Sequence, residues 1–462
     1  MLDKQKTAMA AYQPLIDFYI RRGQPMNSEN VNTKLLSFIE QSPTSFHVIA
    51  NQKAILEEHG YCRLDEAKDW ALSPGGKYYV TRNDASIAAF RIPETTYQGF
   101  MIMASHSDSP ALKIKKNPEM KVADEYIKLN IEAYGGLLMA QWLDRPLSVA
   151  GRIVVRKENG FSVQLVNIDR DLLVIPGLAI HMNRSANKGY EFNVQKDLLP
   201  LYGDADSITL TALIAKEAGV NEEDIIDSDL FLYNRQKGCT FGASNEYLLS
   251  PRLDDVQCAF ASLEGFIESE STSGANISVH IVFDNEEVGS STRQGAASTF
   301  LSDVLTRISE SLGESSGEHI KALSQSFMLS ADNAHALHPN HTDKSDPVNR
   351  PVLNGGVVLK HSANQKYTTD AVSASIVRLL AERAVISLQE FHNRSDIPGG
   401  STLGNISCNQ VAVCTADVGI AQLAMHSICE TCGASDTADL ISLAKELFSA
   451  AFESEGRLFR LI

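Results

Sequence analysis

Ile281-Val282-Phe283-Asp284-Asn285-Glu286-Glu287-Val288-Gly289-Ser290 passes from apolar to charged within a few residues. With Ile277 and Val279 ahead of it, the apolar part reads as a buried strand, and the strand ends in three carboxylates within four residues, closed by a glycine. Like charges at a strand end repel. The cluster is therefore either a solvated loop or a place where cations bind and remove the repulsion. The stretch leaves both readings open, and the rest of the chain has to separate them.

Working outward, other apolar runs end in similar chemistry. Phe100 to Ala104 is followed by His106 and Asp108, and Phe327 to Ser330 by Asp332, with His335 and His338 beyond. Ile420 to Met425 runs into His426, and the pair Asp254-Asp255 opens a helix expected to reach about Ile267. In open α/β sheets, reactive groups gather outside the carboxyl ends of the strands. Imidazoles and carboxylates without a thiolate suit zinc or its first-row divalent neighbours, and a carboxylate can bridge two such ions. Glu286 stands directly before Glu287, so one carboxylate can hold metal while the other serves as general base. Taken singly, a His or Asp at a strand end is usually a satisfied polar residue; it is their agreement that carries weight.

The surrounding pattern fits an α/β protein. Val31, Leu35, Leu36, Phe38 and Ile39 recur at helical spacing, and Ser42-Pro43-Thr44-Ser45 supplies a break and an N-cap for a second helix. Tyr78 to Val80 and Ile87 to Phe90 read as a hairpin. From Lys113 to Tyr247 the texture changes to short β-like runs with one amphipathic helix near Ile208 to Ala218, an inserted β-rich domain. Helices and strands then alternate: helices near Ser298 to Ser309, Asp370 to Glu382 and Asp436 to Phe452, and a strand at Val357 to Lys360. The expected architecture is a mixed sheet with helices on both faces, formed by residues 1–110 and 248–462 and interrupted by a β-rich insertion over 111–247.

Composition narrows the function classes. A chain of 462 residues exceeds one ordinary core. A formal charge of -16, from 41 basic and 57 acidic residues, argues against nucleic-acid and anionic-membrane partners, which need a basic footprint. The N-terminal stretch Ala8 to Ile20, interrupted by Gln13, Pro14 and Asp17, is neither a signal peptide core nor a spanning helix. Seven cysteines fit reduced thiols in a cytoplasm, and Cys429 and Cys432 read as incidental, since no second pair completes a zinc site.

Together these segments resemble the M18 family of metalloaminopeptidases, whose best-known activity is aspartyl aminopeptidase. The segments that carry the resemblance are Ser42 to His47, Ser105 to Pro110, Trp142 to Leu147, Ile175-Pro176 with Ala179 to His181, Pro251 to Asp254, Asp284 to Ser290, Ser330 to Asp332 with Ala334 to Ala336 and His338 to Asn340, and Gln422 to Ser427. The resemblance implies that Asp254 bridges two zinc ions, with His106 and Asp332 completing one site and Glu287 and His426 the other. Glu286 would be the general base, and Asp108 would orient the His106 imidazole. It also implies that the insertion is a dimerisation domain, that the subunits form a homododecamer, and that His181 reaches a neighbour's active site. Substrates would be peptides with a free N-terminus, often with an acidic first residue. Lys360 matches a family lysine placed for that acidic side chain, and Gly399 to Thr402, including Gly400 and Ser401, resembles a substrate loop. Two alternatives stand beside this reading: an aminopeptidase of neutral preference, and a self-assembling scaffold with a vestigial site.

Overall fold

The computed structural model describes residues 28–269, 276–455 and 458–461. The stretch Ala8 to Ile20 lies outside them. Among the described residues two helices, α1 (Ser28–Glu40) and α2 (Ser45–Glu58), precede the first strand. Thr44 stands at the N-cap of α2 in extended backbone, but its hydroxyl is engaged with His47 Nδ1 at 2.9 Å rather than capping a backbone N–H.

The main sheet takes β1 (Cys62–Arg63), β2 (Lys77–Arg82), β3 (Ser86–Arg91) and β4 (Gly99–His106) before the chain leaves it. The insertion supplies β5 (Ala111–Val122), β6 (Tyr126–Tyr134), β7 (Leu147–Lys157), β8 (Gly160–Asn167), β9 (Leu201–Asp204), helix α3 (Leu210–Ala218) and β10 (Ile225–Asn234). These strands form their own antiparallel sheet, in the order β8-β7-β10-β5-β6-β9. Leu112, Leu129, Ile131, Val149, Ile153 and Leu232 pack on it in a separate core. The return to the main body comes before the expected boundary at Tyr247. β11 (Cys239–Phe241) and β12 (Tyr247–Ser250) already belong to a small sheet with elements from late in the chain.

Beyond them, helix α4 (Leu253–Glu268) leads to β13 (Asn276–Phe283), then α5 (Phe300–Ser311), α6 (Ser316–Ser324), β14 (Phe327–Ala331), β15 (Ala334–His335) and β16 (Val357–His361). Helix α7 (Ala371–Ala384), β17 (Leu388–His392), β18 (Cys414–Gly419), β19 (Ala421–Leu423), β20 (Glu430–Gly433) and helix α8 (Asp436–Ser449) complete the body, and a short hairpin follows. The nine-stranded sheet has the order β1-β2-β3-β13-β4-β14-β18-β16-β17. Its centre, β13, β4, β14 and β18, is parallel, while β3 and β16 flank it antiparallel.

The central strands are buried along their length because both faces are covered. Ile277, Val279, Ile281 and Phe283 of β13 pack with Phe300, Val304 and Ile308 of α5 on one face. On the other face Met101, Met103 and Val282 join residues of α1, α2, α4, α7 and α8. Parallel register then aligns the strand ends: Phe283 pairs with His106, and Ser330 with Ala104. The residues just past β4, β13 and β14 are thereby delivered to one edge.

Candidate metal centre

At that edge stand His106, Asp254, Glu286, Glu287, Asp332 and His426, from five segments of the chain. His106 Nε2 lies 3.5 Å from Asp254 Oδ1, and His426 Nε2 lies 3.4 Å from both Asp254 Oδ2 and Glu287 Oε2. Asp254 therefore presents one oxygen to each imidazole. Two groups of donor atoms, His106–Asp254–Asp332 and Asp254–Glu287–His426, each lie within 4.8 Å of one another and share Asp254. Glu286 also joins a third group, with His106 and Glu287. The neighbouring Asp255 is engaged elsewhere: its Oδ2 accepts the His106 backbone N–H at 3.1 Å.

The turn after β13 depends on Asn285, which adopts a left-handed conformation with φ of 61° that asparagine tolerates better than most residues. The reversal aims two backbone donors at one carboxylate. Glu286 N–H and Glu287 N–H donate to Asp108 Oδ1 and Oδ2, each at 3.1 Å. His106 Nδ1 lies 3.1 Å from the Asp108 carbonyl and 3.4 Å from its carboxylate. Asp108 thus meets the imidazole through its main chain and holds the Glu286–Glu287 turn through its side chain. Asp284 stands apart, bonded to Gln294.

The electrostatics demand cations. Asp108, Asp254, Asp255, Glu286, Glu287, Asp332 and Glu430 gather around His106, His426 and Lys360. Burial, reinforced by neighbouring carboxylates, pushes Glu286 up to about 8 and drives Glu287 and Asp332 above the usual carboxylate range. Burial acts the same way on Asp254, but the facing imidazoles of His106 and His426 outweigh it and hold that carboxyl below its usual value. Asp254 Oδ1 and Glu287 Oε1 are buried without a hydrogen-bond partner. Orphaned, buried oxygens in a nitrogen and oxygen donor set fit divalent first-row ions.

Other expected residues fall elsewhere. Lys360 is buried at 1 % exposure, and its ammonium donates to the carbonyls of Asp332 at 2.6 Å and Asn333 at 3.1 Å. It is committed to the backbone beneath the centre rather than presented to a ligand, because three acceptors surround it there, including Asp332 Oδ2 at 3.7 Å. His181 is exposed on the insertion, flanked by exposed Ile180 and Met182. Gly400 lines a cavity of about 520 Å³, together with His335, His338, His341, Lys344 and Arg394. Ser401 bonds Asn405 at 2.8 Å.

Glu430 and Tyr134 escaped the sequence reading. Glu430 is buried, and its two oxygens accept the backbone N–H of Asp254 at 2.9 Å and of His426 at 2.7 Å. Its signal was a carboxylate at the start of a short strand, four residues after His426. Tyr134 reaches Asp108 from the inserted sheet.

The sequence model of the Aminopeptidase I zinc metalloprotease (M18) family matches residues 38–448. A "Probable M18 family aminopeptidase 2" of Clostridium novyi is 46% identical over 426 residues, covering 90% of this chain and 98% of that protein. One of Pseudomonas aeruginosa is 38% identical over 430 residues, covering 91% and 98%. Among solved structures, Ape4 in complex with Nbr1 superposes with a TM-score of 0.88 at 35% identity, over 91% of this chain and 86% of that one. The Ape1 dodecamer of S. cerevisiae gives 0.80 at 28% identity, over 91% and 96%. A shared carboxylate between two donor groups at the sheet edge, in a chain matched along most of its length, identifies this protein as a member of the M18 family of metalloaminopeptidases.

Proposed function

We propose that the protein is a dinuclear zinc aminopeptidase that removes acidic residues from peptide N-termini. The observation that carries the reading is the pair of donor groups sharing Asp254. His106 and Asp332 would hold one ion with Asp254, and Glu287 and His426 the other. Bound there, the ions would polarise the scissile carbonyl and lower the pKa of water.

The chain's own residues supply the rest. Glu286 borders the donor groups with its side chain 14% exposed, so it can meet both solvent and substrate. Burial raises its carboxyl toward neutrality, the range in which a general base takes a proton from attacking water and returns it to the leaving amine. Asp108 fixes the turn that carries Glu286, and Glu430 fixes the backbones of Asp254 and His426.

The acidic preference is supported by a cavity whose lining includes residues near the donor groups in sequence. His335 follows Asp332 by three residues and Ala424 precedes His426 by two, so the cavity adjoins the two donor groups in sequence. Its lining holds four histidines, Lys344 and Arg394 and no carboxylate. An acidic side chain would meet Lys344 there, along with Arg394, which already pairs with Asp396 at 2.7 Å, and this is the role expected of Lys360. Phe391, Ile397 and Leu423 in the same wall favour the neutral-residue alternative. The exposed His181, with Ile180 and Met182, suits a contact between subunits, and a homododecamer follows from the assembly of the S. cerevisiae relative.

The test is hydrolysis of Asp-, Glu-, Leu- and Lys-peptides by wild type and Glu286→Gln, with metal content and solution mass measured alongside. Wild type is expected to prefer Asp- and Glu-peptides, and the variant to keep two metals per chain while losing about a hundredfold or more in kcat. Faster cleavage of Leu-peptides would remove the acidic preference. Undiminished turnover by the variant would remove Glu286 from the mechanism.

A further inference from the structure

Five consecutive residues of the insertion, Tyr134 to Leu138, continue from β6 out of the inserted sheet and cross the metal centre. They bind both of its sides. The Tyr134 hydroxyl donates to Asp108 Oδ2 at 2.7 Å and accepts from Asn285 Nδ2 at 2.8 Å. The first bond adds a third donor to the carboxylate that already holds Glu286 N–H and Glu287 N–H. The second anchors the side chain of the left-handed residue that starts their turn.

Two residues further along, the Gly136 carbonyl lies 2.7 Å from His426 Nδ1, and Leu138 N–H donates to the His426 carbonyl at 3.1 Å. A neutral ring that donates its Nδ1 proton to Gly136 keeps the Nε2 lone pair facing Asp254 and Glu287. Gly135, between the two contacts, has φ of +73°, and a Cβ there would stand 3.1 Å from Glu287 Cβ. Backbone angle and space both call for glycine.

We propose that the Tyr134–Leu138 strap is a positioning device for the metal centre, and that Tyr134 is the residue through which the inserted sheet fixes the Glu286–Glu287 turn. The inference rests on the metallopeptidase reading for its kinetic consequence, but not for its effect on metal binding. It gives the insertion a task within its own chain, separate from any contact between subunits. Tyr134 acts through Asp108 and Asn285 and needs no contact with substrate.

Tyr134→Phe removes the hydroxyl and keeps the ring, which packs edge-on against Phe231 at 5.6 Å between centroids. Full-length wild type and variant are loaded with Co²⁺, the metal is withdrawn by graded chelator, and the visible absorption of bound cobalt is followed. The strap predicts cobalt affinity lower by about tenfold to a hundredfold, the usual effect of losing a partner behind metal ligands. On peptides it predicts a kcat loss of similar size, with KM within about twofold and thermal stability close to wild type. Gly135→Ala, which pushes on Glu287 directly, is expected to weaken cobalt in the same way. Wild-type cobalt affinity and kcat in Tyr134→Phe would overturn the proposal, as would a loss of thermal stability alone. Wild type that binds cobalt but cleaves no peptide would defeat the peptidase reading and leave the cobalt comparison to decide the strap.

Discussion

Glu430 never faces the donor groups with a free oxygen, yet it fixes two of them. Its oxygens take the backbone N–H of Asp254 and of His426, a residue held in left-handed backbone with φ of 67°. A neutral amide offers one acceptor where the carboxylate offers two, so Glu430→Gln frees one of these backbones. The expected result is metal affinity lower by about tenfold to a hundredfold at unchanged solution mass, read by chelator competition. Affinity within twofold of wild type would show that the centre does not depend on Glu430. Residues of this kind are hard to see in a sequence because they act on main-chain atoms, which no side-chain motif records. The convergence of His106, Asp254, Glu287, Asp332 and His426 was legible because strand-end placement and the M18-like motifs agreed. Lys360 was legible as a cation near the site, but its direction was not: only the fold reveals the carbonyls of Asp332 and Asn333 beneath it.

Element by element, β4 and β13 could be read directly, since strands covered on both faces are rich in apolar residues. β18 was missed. It carries Asp417 in its middle, fully buried, which looks wrong for a central strand until the hydroxyls of Thr368 and Thr402 and the Thr368 N–H are seen to satisfy it. Helix α6 was missed because its glycine-flanked start reads as a loop, although Ser315 and Glu318 form a reciprocal capping box. β13 also carries a polar residue, His280, wedged between Ser262 Oγ at 2.7 Å and Gln52 Oε1 at 3.2 Å. Burial lowers its pKa from 6.5 to about 3, so the folded protein favours the neutral ring. The stability this provides is complete above pH 6.5 and is lost as pH falls from there toward 3. Between pH 6.5 and 5 the loss from this residue is about 2 kcal/mol. Urea unfolding at pH 7 and pH 5 should show His280→Gln less stable than wild type at pH 7 but losing less on acidification. An equal loss in both proteins would remove His280 as a source of acid sensitivity.

Across the whole molecule, two sheets with separate cores meet at the metal centre. The main sheet brings His106, the Glu286–Glu287 turn and Asp332 to one edge, while the inserted sheet sends Tyr134 and Gly136 across it. Among the described residues no helix is long and apolar enough to cross a membrane. The contact of the inserted sheet with the Glu286–Glu287 turn was not visible in sequence, because it joins residues about 150 positions apart, as with Tyr134 and Asn285. The proposed activity requires two ions sharing Asp254. Crystals of the zinc-loaded protein, measured on both sides of the zinc absorption edge, test it most directly. The anomalous difference map should show two peaks per chain, one against His106 and Asp332 and one against Glu287 and His426, with Asp254 touching both. A single peak, or two peaks joined by Asp255 or Glu430 instead, would contradict it.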